Sequence, residues 1–346
     1  MIVSVGILAH NEERFIGATI ASLLEQSVFR DPDIEKEIIV VANGCADDTA
    51  GAARMALAAA GKFGNCRTGV RDIAEPGKAN AWNNFIRGAS DKRADFFVLL
   101  DADIEFENED AIARLIGHLK SNPAVEIAPD QPVKKFASQG IFSSLIRLMQ
   151  KTGSDGDTAL SGQLYAARAD ALRSIVIPRG IIVEDGFIRA MILTRSFSEQ
   201  ENRARILRAP GVKHFYTPYE TLRAIYRYER RQAAGTAVNR FVYRRIEAWR
   251  RDGIDPAAEI ERLNNESPKW LEALIAENVR SSQIIAIPGN YVLRRWRGRR
   301  RWTFKRLLKT PILVCATLFD VIVSIGATRQ LKNQGAGKRW DTIRSA

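Results

Sequence analysis

The sequence has few cysteines, and they lie far apart. Its three cysteines, Cys45, Cys66 and Cys315, form no C-x-x-C pair and have no histidine at metal-ligand spacing. Disulfide-held secreted domains and structural zinc sites both depend on closely spaced cysteines. This scarcity argues against a disulfide framework and a zinc site, and it is compatible with a reducing compartment.

Two glycine-rich phosphate-binding motifs are also missing. Neither G-x-G-x-x-G nor G-x-x-x-x-G-K-S/T occurs, which argues against a dinucleotide-binding or P-loop enzyme. The N-terminus lacks the charged start and small-residue cleavage site of a signal peptide. We interpret residues 2–8 as a core strand and expect the protein to stay in the cytoplasm.

Positive charge, in contrast, is abundant and unevenly distributed. The 346 residues carry a formal net charge of +12. A run near the C-terminus contains no acidic residue among its cations, which are Arg294, Arg295, Arg297, Arg299, Arg300, Arg301, Lys305, Arg306 and Lys309. Such an excess indicates an anionic partner: acidic lipid, nucleic acid or a phosphorylated substrate.

Strand and helix patterns alternate through the first half of the chain. Residues 96–100, Phe-Phe-Val-Leu-Leu, are the strongest strand signal, and uninterrupted apolar runs of this kind suit strands covered on both faces. Weaker strand signals at 2–8, 37–42 and 67–72 are separated by helical patterns. This order predicts an α/β fold with a doubly wound, mainly parallel sheet and helices on both faces.

Polar residues follow each predicted strand, where ligands bind in such sheets. They form the segments 9–13, 43–49 and 101–103. Asp101 and Asp103 leave a buried strand together, so their mutual repulsion is costly without a cation. Carboxylate oxygens favour Mg²⁺ or Mn²⁺, which usually also bind substrate phosphates. The alternative is an acidic loop that caps the helix predicted near Glu109.

Five segments in order resemble the motifs of family 2 glycosyltransferases with a GT-A fold. They are the first-strand motif at 9–13, the Asp-Gly-Ser-like turn at 43–49, the Gly-Lys helix start at 76–83, the Asp-x-Asp signature at 101–103 and the Glu-Asp pair at 183–185. Asn43 and Cys45 replace the usual Asp and Ser of the second motif. The resemblance covers about residues 1–235 and implies a GT-A nucleotide-sugar domain, which we place at 1–220.

The resemblance implies a role for each segment. The nucleoside pocket would be lined by Ala9, Asn11, Glu12 and Asn43, whose amide can both donate to and accept from uracil. Lys78 would meet the diphosphate at a helix start, where backbone N–H groups also favour anions. In the Asp101-Ala102-Asp103 triplet, Asp101 would contact the ribose or a metal-bound water, and Asp103 would bind Mn²⁺ or Mg²⁺.

The Glu-Asp pair is the candidate catalytic centre. Direct displacement at the anomeric carbon needs a base that takes the proton of the acceptor hydroxyl. Asp185 is the predicted base, and Glu184 orients it or the acceptor; the alternative is an acidic pair that only stabilises a helix start. By resemblance, residues 161–163 lie on the acceptor side. His214 follows a strand that we predict near residues 204–208 and, by the same resemblance, completes the metal shell, although a packed histidine is equally compatible with the sequence.

Residues 221–346 are predicted to form a helical C-terminal region. Long charged helices are expected over 219–251 and 256–280, followed by an apolar stretch at 311–327. On a helix, Thr317, Asp320 and Ser324 would form one narrow polar stripe. The Gln-x-x-Arg-Trp motif of processive relatives is missing at 230–235, which favours an enzyme that adds a single sugar.

The basic run and the apolar stretch together suit an anionic membrane surface. Trp296, Trp302 and Phe304 lie among the cations, as in interfacial segments. We expect an interfacial helix or hairpin on the inner face of the plasma membrane, because 311–327 is short for a span and contains Asp320. A helix that docks on the core or another subunit is the alternative. No nucleic-acid-binding module accompanies the run, so no nucleic-acid partner is expected, and the oligomeric state is left open.

The leading hypothesis is an inverting, metal-dependent glycosyltransferase. Its donor would be a nucleotide-diphosphate sugar, UDP-linked by resemblance, and its acceptor a sugar or lipid-linked hydroxyl in polysaccharide or cell-envelope synthesis. Two alternatives remain: a catalytically silent GT-A scaffold at the membrane, and a nucleotidyltransferase. Retention of Lys78, Asp101, Asp103 and Asp185 argues against the scaffold, and the missing glycine-rich turn argues against the nucleotidyltransferase.

Overall fold

The computed structural model describes residues 1–61, 64–134, 159–216, 221–280, 286–296 and 310–334. Within them the chain alternates strands and helices through its first half and is helical after residue 221. The strands are β1 (Ile2–Ala9), β2 (Glu35–Asn43), β3 (Cys66–Ile73), β4 (Phe96–Asp101), β5 (Glu105–Phe106), β6 (Ile127–Pro129), β7 (Gln131–Lys134), β8 (Leu164–Arg168) and β9 (Lys213–Tyr216).

The main sheet has the strand order β3-β2-β1-β4-β8-β6. The four strands from β3 to β4 are mutually parallel, and β8 runs antiparallel to both of its neighbours. A second sheet of order β5-β9-β7 lies beside it. The α/β prediction with a mainly parallel sheet is therefore confirmed.

Helices cover both faces of the main sheet and form the C-terminal region. Their bounds are α1 (Ile16–Leu24), α2 (Thr49–Ala59), α3 (Lys78–Asn84), α4 (Ala111–Ser121), α5 (Ala169–Arg173), α6 (Glu184–Thr194), α7 (Leu222–Arg251), α8 (Pro256–Glu266), α9 (Trp270–Arg280), α10 (Gly289–Val292) and α11 (Thr310–Gln334). One core lies between the sheet and α1, α2 and α4; the other packs α3, α6 and α7 against the opposite face. The second core contains residues from both sides of position 220, and the predicted boundary there stays a prediction.

Two predictions of secondary structure are wrong. Residues 204–208 do not form a strand: Arg203–Arg205 is a short 3₁₀ turn, and Ile206 makes only an isolated bridge to Ile127. Residues 256–280 form two helices instead of one, because Ser267 and Pro268 interrupt the helical hydrogen bonding between α8 and α9. This break between α8 and α9 lets α9 contact α7 and α11.

The topology brings the predicted site residues to one edge. Since β1 lies between β2 and β4 and all three are parallel, their carboxyl ends meet: Ala9 pairs with Ala42, and Leu8 pairs with Asp101. The chain adds β2 and β3 on one side of β1 and β4 on the other side, so the strand order reverses between β1 and β4. Ligands bind at such reversals in open α/β sheets. The segments after β1, β2 and β4 therefore line one crevice.

The C-terminal helix α11 packs along α7. Leu313–Asn333 is long and apolar enough to cross a membrane by length and composition, with 39% of its most apolar window buried. Its polar side chains Asp320, Ser324 and Thr328 are buried against the protein.

Candidate functional site

The centre of the site is an ion cluster around Lys78. This lysine is the first residue of α3, and its Nζ lies 2.6 Å from Asp101 Oδ1 and 3.3 Å from Glu184 Oε1. The ammonium also donates to the carbonyl oxygen of Gly162 at 3.1 Å. Lys78 thus joins the end of β4, the loop before β8 and the start of α6, three segments that are distant in sequence.

Burial and neighbouring charges both shift the pKa values of the groups in this cluster. Burial alone would lower the pKa of Lys78, but the charges of Asp101 and Glu184 outweigh it and raise the pKa. Burial raises the pKa of Asp101 to about 6, with the charge of Asp103 adding to the rise and Lys78 opposing it. The lysine is therefore firmly cationic, whereas Asp101 holds its charge at a cost that a further cation would relieve.

The predicted catalytic pair lies at the N-terminus of α6. Glu184 is buried and faces Lys78, and Asp185 is half-buried with its Oδ1 accepting from the Gly186 N–H at 2.7 Å. Burial, followed by the charge of Glu184, raises the pKa of Asp185 to about 6. A carboxylate with that pKa can accept a proton near neutral pH, which is what a general base requires.

Gly162 leaves room beside these carboxylates. A Cβ at this position would lie 3.2 Å from Glu184 Oε1, 3.3 Å from Lys78 Nζ and 3.6 Å from Asp185 Cβ. The preceding Ser161 and following Gln163 flank it, and the Gln163 carbonyl accepts from the Asp101 N–H at 2.9 Å. The loop predicted on the acceptor side is therefore in direct contact with the catalytic pair.

Helix α7 supports the catalytic turn from behind. Asn239 donates to the Val183 carbonyl at 2.9 Å, and the Tyr243 hydroxyl donates to the Gly186 carbonyl at 2.9 Å. Gly235 packs so closely that an added Cβ would lie 2.2 Å from Val183 Cγ2. Gly235, Asn239 and Tyr243 are spaced four apart and share one face of the helix. Sequence reasoning missed these contacts, although this spacing of polar and small residues was a readable signal.

The loops after β1 and β2 are locked together. Asn11, with a positive φ of 56°, accepts from the Ala46 N–H at 2.7 Å, and its own N–H donates to Cys45 Sγ at 3.4 Å. The Glu12 N–H donates to Thr49 Oγ1 at 2.9 Å. The replacement of serine by Cys45 thus keeps an acceptor for the backbone of the neighbouring loop. These contacts fix the wall of the predicted nucleoside pocket.

Asn43 is placed differently from the simple expectation of a side chain open to the base. It is fully buried, its Nδ2 donates to the Gly77 carbonyl at 2.6 Å, and its backbone carbonyl is 2.7 Å from His10 Nδ1. Only its Oδ1 is buried without a hydrogen-bond partner. Because only one of its two amide N–H groups is used in this contact, Asn43 can offer a nucleobase its Oδ1 and its second N–H. Ala9 is likewise buried and contributes backbone.

The Asp-x-Asp triplet suits a divalent cation by its chemistry. Ala102 is buried in the core with its carbonyl accepting from Thr19 Oγ1 at 2.7 Å, so the flanking Asp101 and Asp103 point away from that core. Their repulsion contributes to the raised pKa of Asp101. Two carboxylates of this kind are the oxygen donors that Mg²⁺ and Mn²⁺ prefer. The donor set therefore fits such an ion.

His214 is not joined to the triplet in this structure. It is fully buried on β9, and its Nδ1 lies 2.5 Å from Asp130 Oδ2. Its Nε2 has no hydrogen-bond partner. Among the described residues, no three His, Cys, Asp or Glu side chains are close enough to share one ion. The role of His214 as a metal ligand stays a prediction, and Asp130 is the partner that sequence reasoning missed.

The fold and the site together define a glycosyltransferase of GT-A type. In accordance with this, residues 4–153 match the family described as Glycosyl transferase family 2. This segment of the chain therefore resembles the family 2 glycosyltransferases, and the prediction of a transferase is confirmed. No curated protein sequence matches the chain.

One solved glycosyltransferase structure shares the overall fold, and two others resemble this chain less closely. A mannosyltransferase from Pyrobaculum calidifontis, PcManGT, solved with GDP-Man and Mn²⁺, is 18% identical with a TM-score of 0.54, over 95% of this chain and 86% of that one. S. aureus TarS 1-349 is 14% identical with a TM-score of 0.46, over 96% and 91%. Glucosyl-3-phosphoglycerate synthase from Mycobacterium tuberculosis is 19% identical with a TM-score of 0.45, over 73% and 80%. At these identities the likeness concerns the fold alone.

Proposed function

We propose that this protein is an inverting, metal-dependent glycosyltransferase that moves a sugar from a nucleotide-diphosphate donor to an acceptor hydroxyl. The observation that carries the proposal is the cluster of Lys78, Asp101 and Glu184 at the carboxyl end of β4. It places a buried cation beside two carboxylates at the crevice where family motifs converge.

The donor diphosphate is assigned to Lys78 and the Asp-x-Asp triplet. Lys78 is the first residue of α3, where its ammonium charge and free backbone N–H groups both attract phosphate. Asp103 would hold Mn²⁺ or Mg²⁺, which when bound supplies a Lewis acid for the departing diphosphate. PcManGT was solved with Mn²⁺ and a nucleotide sugar, which supports the same class of donor here.

Acceptor activation is assigned to Asp185. Its side chain is half-buried next to Gly162, where an added Cβ would lie 3.6 Å from Asp185 Cβ, and we assign the acceptor hydroxyl to the space beside this glycine. The Gly186 N–H and the α7 contacts hold the carboxylate in place, and the base takes the proton as the hydroxyl attacks the anomeric carbon. A base positioned on the face opposite the leaving diphosphate gives inversion of configuration.

The acceptor is proposed to be a sugar or lipid-linked hydroxyl on the cytoplasmic side of a membrane, in polysaccharide or cell-envelope synthesis. Support comes from the basic, aromatic-rich sequence between Arg294 and Lys309. A soluble nucleotidyltransferase would have no need for this segment.

A thermal-shift screen of nucleotide sugars with Mn²⁺ tests the donor assignment, since a selective ligand stabilises the folded state by mass action. We expect at least one nucleotide sugar to raise the melting temperature in a metal-dependent way. Asp103→Ala abolishes the shift. Asp33→Ala serves as the matched control, because Asp33 is exposed and lies before the start of β2, at the opposite edge of the sheet from the site. A screen in which no nucleotide sugar stabilises the native chain refutes the proposal.

Product analysis separates the competing functions. A glycosyltransferase releases nucleoside diphosphate, a nucleotidyltransferase releases pyrophosphate, and a silent scaffold releases neither. With the donor found in the screen, we expect nucleoside diphosphate that depends on Asp185. Pyrophosphate as the sole product would contradict the proposal.

A further inference from the structure

Helix α11 buries polar side chains together with apolar ones and exposes a stripe of large apolar side chains. Surface helices of water-soluble proteins bury the apolar side and expose the polar one. In α11, Asp320 and Ser324 are 0% exposed, whereas Val314, Leu318 and Ile322 are 45%, 59% and 58% exposed. The last three are spaced four apart and form one outward stripe, which we call the α11 stripe.

Thr317, Asp320 and Thr328 on the inward side of α11 are paired with protein groups. Asp320 lies 2.7 Å from Arg295 Nε and 3.1 Å from Arg294 Nη2. Thr317 Oγ1 accepts from Trp296 Nε1 at 2.8 Å, and Thr328 Oγ1 accepts from the Ala286 N–H at 3.1 Å. Because these contacts fix the rotation of the helix, the α11 stripe has to face away from the protein.

The outward side of α11 is uncharged over its first five turns. Between Thr310 and Thr328 the only charged residue is Asp320, which points inward, and the first outward charge is Arg329. Cys315 is also exposed on this side. A contiguous apolar surface of this kind is the mark of an interaction site.

The sequence just before α11 indicates which partner covers this surface. Residues 297–309 contain seven arginines and lysines, no acidic residue, and the aromatic residues Trp302 and Phe304. Arg294 and Arg295 pair with Asp320 and Glu229, so they are structural and do not add to this charge. An apolar stripe continuous in sequence with cations and tryptophan matches an anionic bilayer surface.

We propose that α11 lies in the plane of an anionic lipid bilayer, with Val314, Leu318 and Ile322 in the acyl-chain boundary. The helix does not span the bilayer, because its opposite side is occupied by the ion pairs of Asp320 and by α7. The proposal does not depend on which sugar or nucleotide the enzyme uses.

Co-sedimentation of the full chain with vesicles tests the proposal. We expect binding to phosphatidylcholine vesicles that contain phosphatidylglycerol, and much weaker binding to phosphatidylcholine alone. The double substitution Leu318→Ser and Ile322→Ser lowers the affinity roughly tenfold or more, since two large apolar side chains no longer enter the lipid. Met55→Ser is the matched control, because Met55 is 67% exposed on α2.

Three outcomes of this experiment overturn the proposal. In the first, the native chain fails to bind anionic vesicles. In the second, the double substitution leaves vesicle binding unchanged, so that the basic run alone suffices. In the third, vesicles are not bound and sedimentation velocity shows a dimer that the double substitution dissociates, so that a second copy covers the α11 stripe. The donor-dependent thermal shift of the double variant stays native, which keeps this test separate from that of the proposed function.

The depth of α11 distinguishes a helix in the plane from one that spans. An environment-sensitive fluorophore is attached to Cys315, or to Ile322→Cys with Cys315→Ser, in a chain whose Cys45 and Cys66 are serine. Lipids with quenchers at known depths then report both positions. We expect equal, shallow depths; a spanning helix would separate them by about 10 Å at about 1.5 Å per residue, and that result contradicts the proposal.

Discussion

The replacement Asp185→Asn tests the assignment of the catalytic base most directly. Asparagine keeps the size of the side chain and an oxygen that accepts from the Gly186 N–H, now at 2.7 Å, but it cannot take a proton. A positioned general base contributes about 10²–10⁴-fold to rate. We therefore expect kcat to fall by about 10²–10⁴-fold, with little change in KM for the donor.

The pH dependence adds a second signature of the same group. Burial and the charge of Glu184 raise the pKa of Asp185 to about 6, and a base acts only when deprotonated. Activity should thus rise with pH through about 6 and reach a plateau above it, with roughly a tenth of the base ionised at pH 5 and roughly nine tenths at pH 7. Glu184→Gln removes a neighbouring negative charge, so the rising limb moves to lower pH.

The assay is the release of nucleoside diphosphate from the donor that the thermal-shift screen identifies, with water or acceptor as the attacking group. The pH profile of kcat is measured for the native chain, Asp185→Asn and Glu184→Gln, and circular dichroism checks that each variant is folded. If Asp185→Asn keeps more than a tenth of the native kcat, or keeps the limb near pH 6, another group is the base.

Three further substitutions test the supports of the site. Lys78→Met leaves two buried carboxylates without their cation and should lower the free energy of unfolding by about 3–5 kcal/mol, measured by urea denaturation. Asn239→Ala leaves the buried Val183 carbonyl unpaired and should cost about 1–3 kcal/mol and lower kcat more than KM rises; equal effects on stability alone would limit Asn239 to folding. Gly235→Ala forces a Cβ against Val183 and should cost about 1–3 kcal/mol; an unchanged melting temperature would show that the turn yields freely.

Much of the fold could be predicted because its signals are local. The apolar run at 96–100 forms β4, in which every residue except the last, Asp101, is buried. The alternation of strand and helix patterns around it predicted the parallel strands correctly. Residues 256–280 were predicted as one helix although Pro268 lies within them, and a proline at that position removes a backbone donor. The prediction of a strand at 204–208 is wrong for a different reason. Ile206 forms only an isolated bridge to Ile127, and no local sequence pattern reveals how many partners a segment has.

The sequence predicted which residues belong to the site, but it did not predict which of them contact one another. Motifs pointed to Lys78, Asp101 and Glu184 separately, but their meeting depends on β4, α3 and α6 converging over more than a hundred residues. The same holds for His214, whose buried partner Asp130 lies between β6 and β7. Side-chain partners across a sheet follow from topology, whereas sequence spacing reports only neighbours on one element.

The polar stripe of α11 illustrates the same limit. Its spacing was evident in the sequence, but which side turns inward was decided by Arg294 and Arg295, whose ion pairs with Asp320 hold the stripe against the protein. A helix with one charged side and one apolar side can face either way until its neighbours are known.

Helix α7 has a consequence for how the enzyme meets its acceptor. Its 30 residues extend about 45 Å at about 1.5 Å per residue. Near its start, Tyr226 packs against Phe319 of α11 and Glu229 pairs with Arg294, and its middle holds the catalytic turn through Asn239. One continuous helix thus connects the catalytic turn to α11. With α11 on a bilayer as proposed, we expect the enzyme to select acceptors by their height and direction above that surface, before any hydroxyl is recognised.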